Sequence, residues 1–172
     1  WLSLYGANLQ RRRYGGTYPA FEREVFARDR LSPEETSRIS LQRLGRTLRL
    51  AQERVPYYRR LFRELGVDAQ DIRTVNDLAS LPRLQRGEVQ QNLQDFYIDG
   101  WSDLPHSMVK TSGTTGTGLV FPMTLVAEQE QWAVWWRYRG RFGIDRKTWY
   151  AHFYGRGIVP VDQSRPPFWR FN

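Results

Sequence analysis

The stretch Lys110-Thr111-Ser112-Gly113-Thr114-Thr115-Gly116-Thr117-Gly118 gathers the residue types that hold a polyphosphate. Its glycines let the backbone approach a ligand closely, its hydroxyls donate hydrogen bonds, and successive N–H groups can converge into an anion nest. The same composition also suits a hairpin turn with no ligand, because Gly, Ser and Thr populate ordinary loops. Spacing excludes two familiar phosphate signatures. Gly113 and Gly118 stand at the Walker A separation, but Leu119 and Val120 occupy the places where Lys and Ser/Thr must reach phosphate and magnesium. A dinucleotide fingerprint needs glycines at relative positions one, three and six, whereas Gly113, Gly116 and Gly118 fall at one, four and six.

The run Thr111-Ser112-Gly113-Thr114-Thr115-Gly116 resembles the ATP phosphate loop of the adenylate-forming ligase superfamily. Two further segments extend the resemblance to its phenylacetate–CoA ligase branch and the related capsular polysaccharide biosynthesis proteins. Arg54-Val55-Pro56-Tyr57-Tyr58-Arg59 is similar to their N-terminal "VPYYR" segment. Leu78 to Leu93, with Leu81-Pro82-Arg83-Leu84, is similar to another, with Asn92 in its place and Arg86 where Lys is usual. The resemblance implies a cytoplasmic ligase that activates a small-molecule carboxylic acid with ATP and Mg2+, releases pyrophosphate through an acyl-adenylate, and passes the acyl group to CoA or to a glycan-pathway acceptor. It implies that Thr111, Ser112, Thr114 and Thr115 hold the β- and γ-phosphates while Gly113 and Gly116 permit the turn.

Many relatives follow the loop with Pro and then Lys or Thr, where Gly118 and Leu119 stand here. Lys110 has two readings, a cation that partly replaces the absent lysine and a strand-end residue facing solvent. Tyr150, His152, Phe153, Tyr154 and Gly155 fall where relatives border the acyl pocket. His152 is either a contact to carboxylate or acceptor, or a packed residue among aromatics. The family's magnesium-binding Glu, ribose-binding Asp and adenylation Lys have no counterpart here, so no metal ligand or catalytic residue is assigned. The expectation is the N-terminal portion of a ligase, inactive by itself. A start without Met and an end inside the aromatic run from Pro166 also suggest a fragment.

The elements that must carry the loop follow from periodicity and caps. Ser32, Pro33 and Glu35 form a helix start with a capping box. Leu41, Leu44, Leu48, Ala51 and Val55 then recur at helical spacing up to Pro56. A short helix over 57–65 ends at Gly66, brief helices follow from Thr74 to before Pro82 and over 87–93, and the first hundred residues read as helical. Residues 107–110 and 119–123 are extended and flank the loop. A helix from Thr124 to about Arg141 puts Leu125, Trp132, Trp135 and Trp136 on its apolar face, and 147–154 reads as a strand. The fold class is α/β: a helical N-terminal region over 1–104, then the start of an adenylate-forming core over 105–172.

Composition sets the outer limits. The chain has 172 residues, enough for a core of its own, and no cysteine, which removes disulfides, thiolate metal sites and cysteine nucleophiles. Its longest apolar run, 118–127, is far short of the ~20 residues of a membrane span, and the order of apolar residues before Arg11, Arg12 and Arg13 is the reverse of a secretory signal. The net charge of +8 lies wholly in residues 1–63, which hold 14 Arg against 6 acidic residues. A solvated helix face bearing Arg43, Arg46, Arg49 and Arg54 accounts for this without a nucleic-acid partner. The competing reading is a non-catalytic basic helical module binding nucleic acid or an anionic surface.

Overall fold

The computed structural model describes residues 2–111, 118–149, 159–160 and 162–168. The chain divides into two compact units, Arg30–Thr124 and Trp1–Asp29 with Leu125–Asn172. The strands expected beside the loop lie in the first of these units.

In the unit Arg30–Thr124, the first helix is Pro33–Arg54. Ser32 caps it as expected: the Glu35 amide donates to Ser32 Oγ at 3.2 Å, and the Ser32 amide donates to Glu35 Oε2 at 2.8 Å. It stops because Val55 precedes a proline and is held extended, at φ −112° and ψ 114°. Pro56 then opens the helix Pro56–Leu65, which ends where Gly66 takes the left-handed conformation at φ 64°. Leu48, Phe62, Ala69 and Ile72 form the core, with Leu44, Tyr58, Val67, Leu78 and Leu81 packed against it.

One of the expected brief helices is tighter than α, and the other is shorter than expected. Thr74 and Asp77 exchange hydrogen bonds through side chain and amide, but the turn they open, Asn76–Ser80, is a 3-10 helix. The helix expected over 87–93 is Arg86–Gln91, followed by a 3-10 turn Leu93–Phe96. Asn92 separates them: its amide and side chain donate to the Glu88 carbonyl, and its own carbonyl accepts from Asp95. After the 3-10 turn Trp101–Asp103, the strands β1 (His106–Lys110) and β2 (Val120–Thr124) pair antiparallel, with Lys110 opposite Val120 and His106 opposite Thr124.

In the other unit three helices meet: α1 (Leu2–Tyr14), α2 (Tyr18–Ala27) and, from the far side of the sequence, Leu125–Gly140. Tyr18, Val25, Ala133 and Trp136 are its buried core, with Tyr14, Phe21, Trp132 and Ile144 around them. The buried face of Leu125–Gly140 differs from the expected one, because it includes Glu128 and Gln129. Both are satisfied at the α1–α2 turn. Gln129 Oε1 accepts from the Thr17 amide (3.1 Å) and hydroxyl (2.6 Å), Gln129 Nε2 donates to the Arg12 carbonyl (2.9 Å), and Glu128 pairs with Arg12 at 2.7 Å. Trp135 turns to the open side, lining a groove with Val134 and Tyr138.

The expected strand over 147–154 is corrected at its described start. Asp145 Oδ1 accepts from the amides of Lys147 (2.9 Å) and Thr148 (2.8 Å), which folds that stretch into a turn. Tyr150 to Tyr154 lie outside the described residues.

Candidate phosphate-loop hairpin

The mouth of the loop is set by three residues next to the two strands. The Thr111 amide donates to the Leu119 carbonyl at 2.9 Å. A regular antiparallel pair would return a bond from the Leu119 amide to the Thr111 carbonyl. Instead the Leu119 amide donates to Thr111 Oγ1, also at 2.9 Å. The Thr111 carbonyl oxygen lies over Gly118, only 2.1 Å from where a Cβ on that residue would stand, so no side chain fits there. Lys110 Cε is 3.3 Å from the same point, so the lysine stem runs past Gly118 at the mouth.

Alternation along the ladder makes Val109–Phe121 a hydrogen-bonded pair and leaves Lys110–Val120 and Met108–Pro122 as non-hydrogen-bonded ones. Pro122 therefore sits where its missing N–H costs the hairpin nothing. The Val120 carbonyl points away from β1 and accepts from the Tyr97 hydroxyl at 2.7 Å. Tyr97 packs edge-on against Trp101 at 5.4 Å, and Trp101 packs against the His106 ring at 4.8 Å. His106 Nδ1 lies 2.7 Å from the Leu104 carbonyl, which fixes the ring at the start of β1.

The segment carrying Tyr97 is held in turn by the helix Pro56–Leu65. Arg59 pairs with Asp99, and Arg60 pairs with Asp95 at 2.5 Å. Tyr57 stacks on Phe96 with ring centroids 4.2 Å apart, and its hydroxyl donates to Glu88 Oε1 at 2.8 Å. Burial first, and then the Glu88 carboxylate, push the Tyr57 hydroxyl up to about 12, so it remains a donor. Arg54 donates to the Asp99 carbonyl at 2.6 Å, and the Asp99 amide returns a bond to the Arg54 carbonyl at 2.7 Å. Arg54 is thus a brace and not part of a free basic face. The Val55-Pro56-Tyr57-Tyr58-Arg59 segment acts as a mount: through residues 95–99 it holds Tyr97, and through Tyr97 it holds β2.

Of the residues expected to bind phosphate, Thr111 stands at the mouth, while Ser112, Gly113, Thr114, Thr115 and Gly116 lie outside the described residues, as do His152, Tyr154 and Gly155. The donor set at the mouth fits an anion: Thr111 Oγ1 uses a lone pair for Leu119 and keeps its own proton to donate, and Lys110 lies exposed beside it. Among the described residues no cluster of three or more acidic or histidine side chains could hold a metal, and Mg2+ is assigned to no residue here. Motif reading missed Tyr97, whose only trace is the aromatic spacing Phe96, Tyr97, Trp101 ahead of a strand.

No family model matches the chain. It is 34% identical over 109 residues to a phenylacetate–coenzyme A ligase of Aromatoleum evansii, covering 61% of this chain and 24% of that protein. It is 35% identical over 98 residues to one from Thermus thermophilus (55% and 21%) and 36% identical over 97 residues to one from Escherichia coli (54% and 21%). The chain thus spans between a fifth and a quarter of the length of these curated relatives. Its α/β make-up is compatible with the N-terminal part of an adenylate-forming enzyme. Together the three likenesses support a ligase family for this chain.

Proposed function

We propose that the chain is the N-terminal part of an ATP-dependent, AMP-forming ligase that joins a small-molecule carboxylic acid to CoA, with a glycan-pathway group as the alternative acceptor. The observation that carries this is a glycine- and hydroxyl-rich loop standing on a hairpin braced at its mouth, in a chain similar over more than half its length to acid–CoA ligases. When bound, ATP with Mg2+ would supply the adenylyl group that activates the carboxylate, with pyrophosphate as the group released. The hydroxyls of Thr111, Ser112, Thr114 and Thr115 hold the β- and γ-phosphates, and Gly113 and Gly116 let the backbone amides face them. Lys110, running past Gly118, adds positive charge at the mouth. His152, Tyr154 and Gly155 border the acyl group. Residues 1–104 form the helical N-terminal region, and 105–172 begin the ATP-binding core in a cytoplasmic enzyme.

The test is acid-dependent exchange of labelled pyrophosphate into ATP by the gene's full-length product, screened with phenylacetate, other aromatic acids and fatty acids. Exchange that appears only with an acid present is the expected result. Neither exchange nor AMP release with any acid overturns the reading.

A further inference from the structure

We infer that Thr111 serves the loop as its latch: its hydroxyl accepts the Leu119 amide proton and so fixes the width of the mouth from which Ser112–Thr117 springs. The inference rests on the phosphate-loop reading above and deepens it, because it gives Thr111 a positioning role distinct from that of the other hydroxyls. Three observations carry it. The Thr111–Leu119 step makes one backbone bond and one side-chain bond, each 2.9 Å, in place of two backbone bonds. The Thr111 carbonyl that the hydroxyl has replaced is accommodated only because Gly118 has no Cβ. On its outer edge β2 is held by the Tyr97 hydroxyl on the Val120 carbonyl, so the mouth is fixed from both sides.

Threonine suits the task because its β-branch restricts χ1 and keeps Oγ1 aimed across the mouth. With one lone pair taken up by the Leu119 N–H, the hydroxyl keeps its proton for one of the two other positions, so the latch also leaves a donor at the mouth. Losing it leaves a strand end free to splay. An anion held by several converging donors loses affinity when their spacing is no longer set in advance.

The test compares the 172-residue chain with its Thr111→Val and Thr111→Ser variants by residue-resolved amide exchange, and titrates the gene's full-length product, unaltered and with each substitution, with MgATP. Valine keeps the shape and removes the acceptor, whereas serine keeps the acceptor. In Thr111→Val, exchange at Leu119 should quicken at least ~5-fold, the scale of one lost hydrogen bond, while Phe121, deeper in the ladder, stays protected. Affinity for MgATP should fall by a similar factor, and Thr111→Ser should restore both. Unchanged Leu119 exchange in Thr111→Val overturns the latch. Faster exchange with unchanged affinity overturns its role in binding. If the unaltered full-length product gives no response to millimolar MgATP, the nucleotide reading of this loop fails, and the latch still stands or falls by the exchange at Leu119.

Discussion

Both compact units pair arginine with carboxylates, and they differ in what the remaining arginines touch. In the unit formed by Trp1–Asp29 and Leu125–Asn172, guanidinium groups lie over aromatic rings: Arg13 is 4.3 Å from the Trp132 ring centre, Arg139 is 5.1 Å from those of Trp135 and Trp136, and Arg146 is 4.8 Å from that of Tyr14. In the unit Arg30–Thr124 they are tied to carboxylates and carbonyls: Arg59 to Asp99, Arg60 to Asp95, Arg54 to the Asp99 carbonyl. The first arrangement covers a core rich in large rings with flat cations. The second fastens the segment 95–99 beside a mostly aliphatic core. A formal charge of +8 therefore overstates the positive surface on offer, since much of the arginine is occupied within the fold.

The sharpest way to probe this contrast is at the two cores. Trp136→Ala and Phe62→Ala each remove a buried ring and should each cost about 3–5 kcal/mol in urea unfolding. A loss below 1 kcal/mol at either would mean that its unit is not held together by that core. Next comes Gln129→Leu, which leaves the Thr17 amide and the Arg12 carbonyl without their partner in a buried site, at about 2–3 kcal/mol. A neutral result would show that the α1–α2 turn does not depend on Gln129.

In the other unit, Tyr97→Phe removes one half-buried hydroxyl and should cost about 1 kcal/mol. It should also quicken amide exchange in β2 while leaving the core of Leu48 and Phe62 protected. Equal quickening throughout that unit would deny Tyr97 its local role.

Asp29 gives a pH-dependent comparison. Hydrogen bonds from Arg137, first, and Arg141 hold its carboxyl below its ordinary 3.8, at about 2. A lowered pKa favours the folded state above pH 3.8, and the benefit disappears as pH falls toward 2. Asp29→Asn should flatten the stability profile in that window and leave it unchanged at neutral pH apart from a constant offset. Arg59→Gln should leave the same window untouched, because it lies in the other unit. The smallest effect is expected at Arg46 and Arg49, both exposed on the helix Pro33–Arg54. Changing both to Gln should alter stability by less than about 0.5 kcal/mol and leave no measurable nucleic-acid affinity to lose at physiological salt. Tight, salt-dependent DNA binding abolished by the pair would revive the basic-module reading.

How much of this was legible in the sequence depended on how far apart the partners lie. The box at Ser32 and Glu35, the stop at Pro56 and the cap at Gly66 are local events, and their positions are plain from neighbouring residues. The strands beside the loop were readable for the same reason. Residues 125–140 were misread on one face because three tryptophans at helical spacing suggest a uniformly apolar core. The buried face includes Glu128 and Gln129, whose partners Arg12 and Thr17 lie over a hundred residues earlier. At the candidate site the residue types of the loop were visible, but the bond from Leu119 to Thr111 was not. A hydroxyl beside a glycine-rich run reads as a ligand contact until the register of the strands reveals which amide faces it.

Pro122 also determines how the hairpin can grow. A third strand laid along β2 would find no donor at Pro122 and the Val120 carbonyl already engaged by Tyr97, so regular pairing on that edge is interrupted at successive outward-facing positions. Along β1 the outward amides of His106, Met108 and Lys110 form an unbroken row of donors. The hairpin is thus polarised as a building block, with one edge blunted against association and the other suited to seeding a larger sheet.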